Sequence, residues 1–212
     1  MRFRASDLVR ALEGFGIPGV DLIGPDVEID GSTFDTRDLR PGQLFVPLVA
    51  GRDGHDFIEM ALVAGAAAYF TSRPVVPGRA GTAIRVPDTA EALQRTASWV
   101  RASLPASTVV VGVTGSVGKT TTKEFIVAAL QGSKRVTANI RSYNNEQGLP
   151  VTILNAPPEA QVLVLEMGMR GFGQIADLCR IARPSIGVVT RVGHAHTELV
   201  GGLDGVAVAK GE

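Results

Sequence analysis

Cysteine is nearly missing from this chain: one thiol, Cys179, in 212 residues. A lone cysteine excludes an internal disulfide and suits a reducing compartment. Cys179 falls in the helix-periodic stretch Ile175–Ala182, where it reads as a small core residue. A charge excess is missing as well. Lys plus Arg and Asp plus Glu number 21 each, so the balance calls for neither nucleic acid nor an acidic membrane surface. No stretch is apolar for long enough to insert in a bilayer, and the N-terminal MRFRASDLVRAL lacks the apolar run of a signal peptide. There is no internal repeat and no low-complexity tract. A cytoplasmic globular protein is the expectation, and 45% hydrophobic with 20% charged residues agrees with it.

What is present begins with punctuation. Ser6 reads as the N-cap of a short helix over Asp7–Glu13, closed by Gly14. Val27–Phe34 and Leu44–Val49 read as strands, with the turn Arg40-Pro41-Gly42 between them. Asp56 is placed to cap a helix over Phe57–Gly65, and strands follow at Ala67–Thr71 and Ala83–Val86. Asp88 or Thr89 caps a longer helix whose Leu93, Ala97, Val100 and Leu104 share one stripe. Leu104-Pro105-Ala106-Ser107 then reads as a linker, which divides the chain into residues 1–104 and 105–212. Past it the rhythm is strand, helix, strand. Val109–Val113, Val136–Ala138, Val162–Leu165 and Ile186–Thr190 alternate with four helical patterns, which predicts a parallel sheet between helices. The pattern is still helical at Ala207–Glu212, so the chain is expected to be the front part of a larger protein.

The second part is organised around VVVGVTGSVGKTTT at Val109–Thr122. A β-branched run ends in a glycine loop, and Lys119-Thr120 opens a helix; this is the layout of a phosphate-binding P-loop. Gly115, Ser116, Val117 and Gly118 would turn backbone N–H groups onto a phosphate, helped by the helix N-terminus. Lys119 would reach the terminal phosphates of ATP, Thr120 a Mg²⁺ ion, and Thr121 continues the motif. The general pattern places its first glycine where Val113 stands; the chain offers Gly112 and Gly115 instead.

Three further groups sit after strands of the same sheet, at its ligand edge. Glu166 ends the strand Val162–Leu165 and is placed to hold Mg²⁺ or its water. His194 and His196 follow Ile186–Thr190. Two histidines so spaced could ligate zinc, but no cysteine pair completes such a site, and one histidine near Mg²⁺ and phosphate is the more economical reading. Asn144, Asn145 and Glu146 precede a helix that Asn144 could cap. In the first part, Asp35-Thr36-Arg37 and Gly54-His55-Asp56 are dense in donors and acceptors.

Taken together, TGSVGKTTTKE at Thr114–Glu124, YNNEQGLPVTIL at Tyr143–Leu154 and LEMGMRGFGQIADLCRIARPSIGVVT at Leu165–Thr190 resemble the Mur ligase family. GHAHTELVGGLDGVAVAKGE at Gly193–Glu212 continues the resemblance, and FDTRDLRPGQLFVPLVAGRDGHDFIEMALVAGA at Phe34–Ala66 looks like the family's uridine-nucleotide domain. The resemblance implies a small α/β UDP-sugar-binding domain followed by an incomplete P-loop central domain. It implies ATP-dependent amide formation through an acyl phosphate, with Mg²⁺, on UDP-MurNAc-tripeptide and D-Ala-D-Ala in peptidoglycan synthesis. Lys119, Glu166, His196 and Lys210 would be catalytic, and Thr120, Glu166, His196 and Lys210 would hold or support metal, Lys210 as a carbamylated lysine. Asp35, Thr36, Arg37, His55, Asn144, Asn145 and Glu146 would bind substrate. Three positions depart from the family: Arg191 stands where Asn is usual, His194 where Pro is usual and Pro47 where Ala is usual. The whole enzyme is expected to be monomeric, and this chain alone inactive because the amine-binding domain is not in it. The competing expectations are a non-catalytic nucleotide-binding fragment or another Mur-type amide ligase.

Overall fold

The structure, a computed structural model, describes residues 1–75, 78, 81–140, 143–193 and 200–212. The chain divides into two compact units, Met1–Trp99 and Val100–Glu212.

Unit 1 opens with β1 (Arg2–Arg4) and α1 (Ala5–Gly14). Arg4, not Ser6, is the N-cap of α1. Ser6 is instead drawn to Asp26, whose carboxylate accepts from the Ser6 amide and hydroxyl, both at 2.9 Å, and from Arg4 Nε at 2.8 Å. The Arg4 hydrogen bond is the main reason the Asp26 carboxyl is held down at about 2. β2 (Asp21–Ile23) follows, a strand too short to announce itself in the sequence.

The expected strand Val27–Phe34 is two strands in two sheets. Gly31 takes a φ of 81° between them, a conformation that breaks a continuous ladder. β3 (Glu28–Asp30) pairs antiparallel with β1, and β4 (Ser32–Thr33) joins the larger sheet. That sheet is completed by β5 (Leu44–Phe45), β6 (Ala68–Thr71) and β7 (Thr82–Arg85). Its order is β2-β7-β6-β5-β4, parallel except for β2.

Between β5 and β6 a 3-10 turn at Gly54–Phe57 runs into α2 (Ile58–Val63). The cap is Asp53 rather than Asp56: its side chain accepts from the His55 amide at 2.9 Å. Phe45, Ile58, Ala61, Tyr69 and Ala83 form the core over this turn. α3 (Thr89–Ser103) is capped by Asp88, whose Oδ1 accepts from the amides of Ala90 and Glu91. Leu93, Ala97, Val100 and Leu104 are all buried, as their spacing requires. Fully burying each such Leu or Val stabilises by about 1.5–3 kcal/mol.

Unit 2 alternates as expected. β8 (Val109–Thr114), α4 (Lys119–Leu130), β9 (Val136–Ala138), α5 (Gly148–Leu154), β10 (Val162–Glu166), α6 (Gln174–Ala182), β11 (Ile186–Val189) and α7 (Leu203–Gly211) follow in order. The four strands are parallel in the order β11-β8-β10-β9. Val111, Val113, Val162 and Val164 meet Ile126, Val127 and Leu130 of α4, which seats that helix on the sheet. Because β8 and β10 are central, their C-terminal ends, Thr114 and Glu166, emerge side by side. Among the described residues no helix is long and apolar enough to cross a membrane.

Candidate functional site

The glycine loop after β8 depends on two special positions. Gly118 is the N-cap of α4 at a φ of 87°. Gly115 lies at a φ of 149°, and a Cβ there would come within 2.0 Å of Thr190 Oγ1. The closeness comes from a latch. Thr190 Oγ1 donates to the Val117 carbonyl at 2.7 Å, and the Ser116 amide donates to the Arg191 carbonyl at 2.7 Å. The Ser116 hydroxyl donates to the Gly193 carbonyl at 2.9 Å and accepts from its amide at 3.0 Å. The loop is therefore held open against the segment after β11. The first amides of α4, which have no intrahelical acceptor, face onward from it.

Lys119 Nζ donates to the Gly115 carbonyl at 2.8 Å, folding its charge over the loop. Thr120 Oγ1 donates to Glu166 Oε2 at 2.8 Å, and Asn144 Nδ2 donates to Glu166 Oε1 at 2.8 Å. Glu166 is thus a buried carboxylate held by two neutral donors. A hydroxyl beside a carboxylate is an all-oxygen donor set, which suits a hard cation such as Mg²⁺ that takes few protein ligands and keeps its waters. The Thr114 hydroxyl, at the floor of the loop, is buried without a partner among the described residues. These features fit a nucleotide phosphate and its metal.

A cavity of about 350 Å³ lies against this edge. Gly115, Ser116 and Lys119 line one side, Asn144, Asn145 and Glu146 another, and Gly168–Arg170, Gln174 and Lys210 the rest. Sequence reasoning placed Lys210 there and missed Arg170 and Gln174. Lys210 is 4% exposed. Burial, and then the nearby Lys119 charge, hold its ammonium below the ordinary lysine range. The two asparagines divide the work that one was expected to do. Asn145 Oδ1 accepts from the amide of Gly148, the first residue of α5, at 2.9 Å, while Asn144 turns to Glu166. His194 and His196 lie outside the described residues.

Unit 1 has its own cavity, of about 560 Å³, lined by Phe34, Asp35, Thr36, Arg37, Phe45, Arg52, Phe57 and Met60. Arg37 is tied to Asp35 through Nη2 at 2.5 Å and Nε at 2.9 Å, and Thr36 Oγ1 donates to Met60 Sδ at 3.4 Å. The structure does not bring His55 to this group. His55 is buried, with Nδ1 donating to Asp53 Oδ1 at 2.6 Å and Nε2 accepting from the Ser72 amide at 3.1 Å. An amide can only donate, so Nε2 must be the unprotonated nitrogen. Both ring nitrogens are spent on protein, and the histidine secures the Asp53 turn rather than facing the cavity.

The parallel sheet, the glycine loop with Lys-Thr and the carboxylate on the neighbouring strand define unit 2 as an α/β unit of the P-loop kind. Residues 113–212 match the Mur ligase middle domain. A UDP-N-acetylmuramoyl-tripeptide--D-alanyl-D-alanine ligase of Synechocystis sp. is 45% identical over 197 residues, covering 91% of this chain and 42% of the relative. The Bacillus subtilis protein of the same name is 44% identical, with 89% and 42% covered. Among solved structures, MurF from Acinetobacter baumannii superposes with a TM-score of 0.86 at 28% identity over 99% of this chain and 45% of that one. MurF ligase from Thermotoga maritima in complex with ADP gives 0.73 at 36% identity, with 85% and 42% covered. Through residues 113–212 the chain carries the Mur ligase middle domain. It spans less than half the length of these relatives.

Proposed function

We propose that the chain carries the UDP-MurNAc-peptide-binding and ATP-binding parts of a ligase that joins D-Ala-D-Ala to UDP-MurNAc-tripeptide in peptidoglycan precursor synthesis. The observation that carries this reading is the cavity in which Lys119 and Lys210 converge on a glycine loop, with Asn144 of its wall bonded to the Glu166 carboxylate that Thr120 also holds. The relatives' names supply the substrates.

In the proposed reaction the tripeptide's terminal carboxylate takes the γ-phosphoryl group of ATP, and ADP departs. The amine of D-Ala-D-Ala then attacks the acyl phosphate, loses its proton, and phosphate leaves. Lys119 and the first amides of α4 hold the phosphates in line. Thr120 and Glu166 would hold Mg²⁺, which when bound would supply charge neutralisation among the crowded anions. Lys210 faces the same anions; with its amine pushed toward neutrality it is the side chain there most suited to carry the carbamate that the family resemblance implies. His196 is proposed as a further metal-side residue. Asn145 and Glu146 border the acceptor side. In unit 1, Asp35, Thr36 and Arg37 are proposed to hold the uridine nucleotide, with Phe34, Phe57 and Met60 offering an apolar wall to a base. The whole enzyme is proposed to be a cytoplasmic monomer acting on no nucleic acid.

The test is direct binding. Calorimetry on the chain should show Mg-ADP binding that Lys119→Ala weakens by about 100-fold while circular dichroism stays unchanged. UDP-MurNAc-tripeptide should shift the amide resonances of Asp35–Arg37. Wild-type ADP affinity in Lys119→Ala, or shifts confined to unit 2 on adding the UDP-sugar, would overturn the assignment.

A further inference from the structure

We infer that Asn139 is a positioning residue for Glu166, setting the carboxylate that faces Thr120; the inference rests on reading Glu166 as the metal-holding acid. The observation is a change of partner at the end of β9. That strand pairs with β10 only as far as Ala138, opposite Val164. One residue later the backbone leaves the sheet, and the Asn139 side chain takes over the ladder. Its Oδ1 accepts from the Glu166 amide at 2.8 Å, and its Nδ2 donates to the Glu166 carbonyl at 2.9 Å. A carboxamide presents the same donor and acceptor as a peptide unit, so it continues the pairing while the main chain is released to form the loop carrying Asn144.

The clamp is braced on two more sides. The second Nδ2 proton goes to the Tyr143 carbonyl at 2.8 Å, which fixes the start of that loop. The Asn139 carbonyl accepts from Lys123 Nζ at 2.7 Å. Lys123 is 3% exposed and stands one turn beyond Thr120 on α4. Its other partner is the exposed carboxylate of Glu124, at 2.9 Å. One residue, 2% exposed, therefore joins the strand end that bears Glu166 and the Asn144 loop through its side chain and the P-loop helix through its carbonyl. Asn144 in turn donates to Glu166 Oε1 and accepts from the Gly168 amide at 2.7 Å. The Glu166 main chain is gripped by Asn139 and its two oxygens by Thr120 and Asn144. A misplacement of about 1 Å at such a group is enough to weaken a site.

A merely structural asparagine and a positioning one predict different binding. ADP affinity of the chain is measured by calorimetry with Mg²⁺ and again with excess chelator, for wild type, Asn139→Ala, Asn139→Asp and Glu166→Gln. Asn139→Ala is expected to weaken Mg-ADP binding by about tenfold or more, the range for removing a group that orients a metal ligand, and to leave metal-free ADP affinity within about twofold. Asn139→Asp keeps the acceptor for the Glu166 amide and loses the donors; its loss should be intermediate, and it carries the test if Asn139→Ala does not fold. Equal losses with and without metal, or no loss, overturn the inference. Glu166→Gln separates the two ideas. If it keeps the full metal dependence, the reading of Glu166 fails. If it abolishes that dependence while Asn139→Ala keeps it, the reading stands and the positioning role fails.

Discussion

The two cavities of this chain are built from opposite materials. In unit 2 the walls are mostly backbone, a hydroxyl, amides and charged heads, and the side chains of Ser116, Lys119, Asn144, Asn145 and Gln174 are each already hydrogen-bonded to another group. In unit 1 the walls are three phenylalanines and a methionine, with the charge gathered in Asp35, Arg37 and Arg52. The first arrangement suits a multiply charged group that must be held at fixed distances, since preorganised dipoles give up nothing when the charge arrives. The second suits a flat, partly apolar group with an anionic tail, gripped by area and one arginine fork. The unit 2 site should therefore be intolerant of single changes and the unit 1 site more forgiving.

The sharpest break in that contrast is Lys119→Ala. Losing the ammonium that covers the loop should weaken Mg-ADP by about 100-fold in calorimetry, on the scale of a charge-assisted hydrogen bond to phosphate. A loss below about threefold would make the two cavities alike. Next comes Gly115→Ala. The new methyl meets Thr190 Oγ1 in a backbone region that alanine avoids, so unit 2 should lose about 1–3 kcal/mol in denaturant unfolding. An unchanged midpoint would mean the latch yields. Arg37→Ala should cost UDP binding only about tenfold, with the apolar wall intact; complete loss would show unit 1 to be the less forgiving site.

The smallest effect concerns the turn behind the unit 1 cavity. The Asp53 carboxyl is held at about 2, against an ordinary 3.8, chiefly by the His55 amide and then by the His55 ring; Arg73 Nη2 also reaches it, at 2.5 Å. A carboxyl lowered on folding stabilises above its unfolded value, and that stability fades as pH falls through the folded one. The stability gap between wild type and Asp53→Asn should therefore be constant above about pH 5 and narrow between about pH 4 and 2. Trp99, the single tryptophan, packs edge-on to Phe3 at 5.3 Å between ring centroids and reports unit 1 by fluorescence. A gap that widens toward pH 2 would contradict the sign.

Much of unit 2 was legible because its signals are local. A valine run, glycines and Lys-Thr lie within fourteen residues, and Glu166 ends a strand that the alternation assigns to the same parallel sheet. The failures share a cause: the deciding partner is distant in sequence. Ser6 has good cap chemistry, but Asp26 is 20 residues away and takes it. Val27–Phe34 has strand chemistry throughout, yet its halves belong to different sheets because their partners differ. His55 carries the chemistry of a ligand, and nothing near it announced Ser72, 17 residues on. Asn139 carries no local signal at all; the sign of its role lies 27 residues away, at Glu166.

The latch across the phosphate loop has a consequence for how the protein is made. Ser116 and Gly193 are 77 residues apart, and Thr190 grips a carbonyl 73 residues before it. The cradle cannot take its shape from its own segment, since its rim is supplied by the stretch after β11. During synthesis the glycine loop leaves the ribosome first and stays a slack hairpin of chain until β11 has docked beside β8. Closing so long a span is slow compared with forming α4. The nascent chain thus acquires its helices early and its grip on phosphate late, and nucleotide retention becomes a report that β11 has docked beside β8.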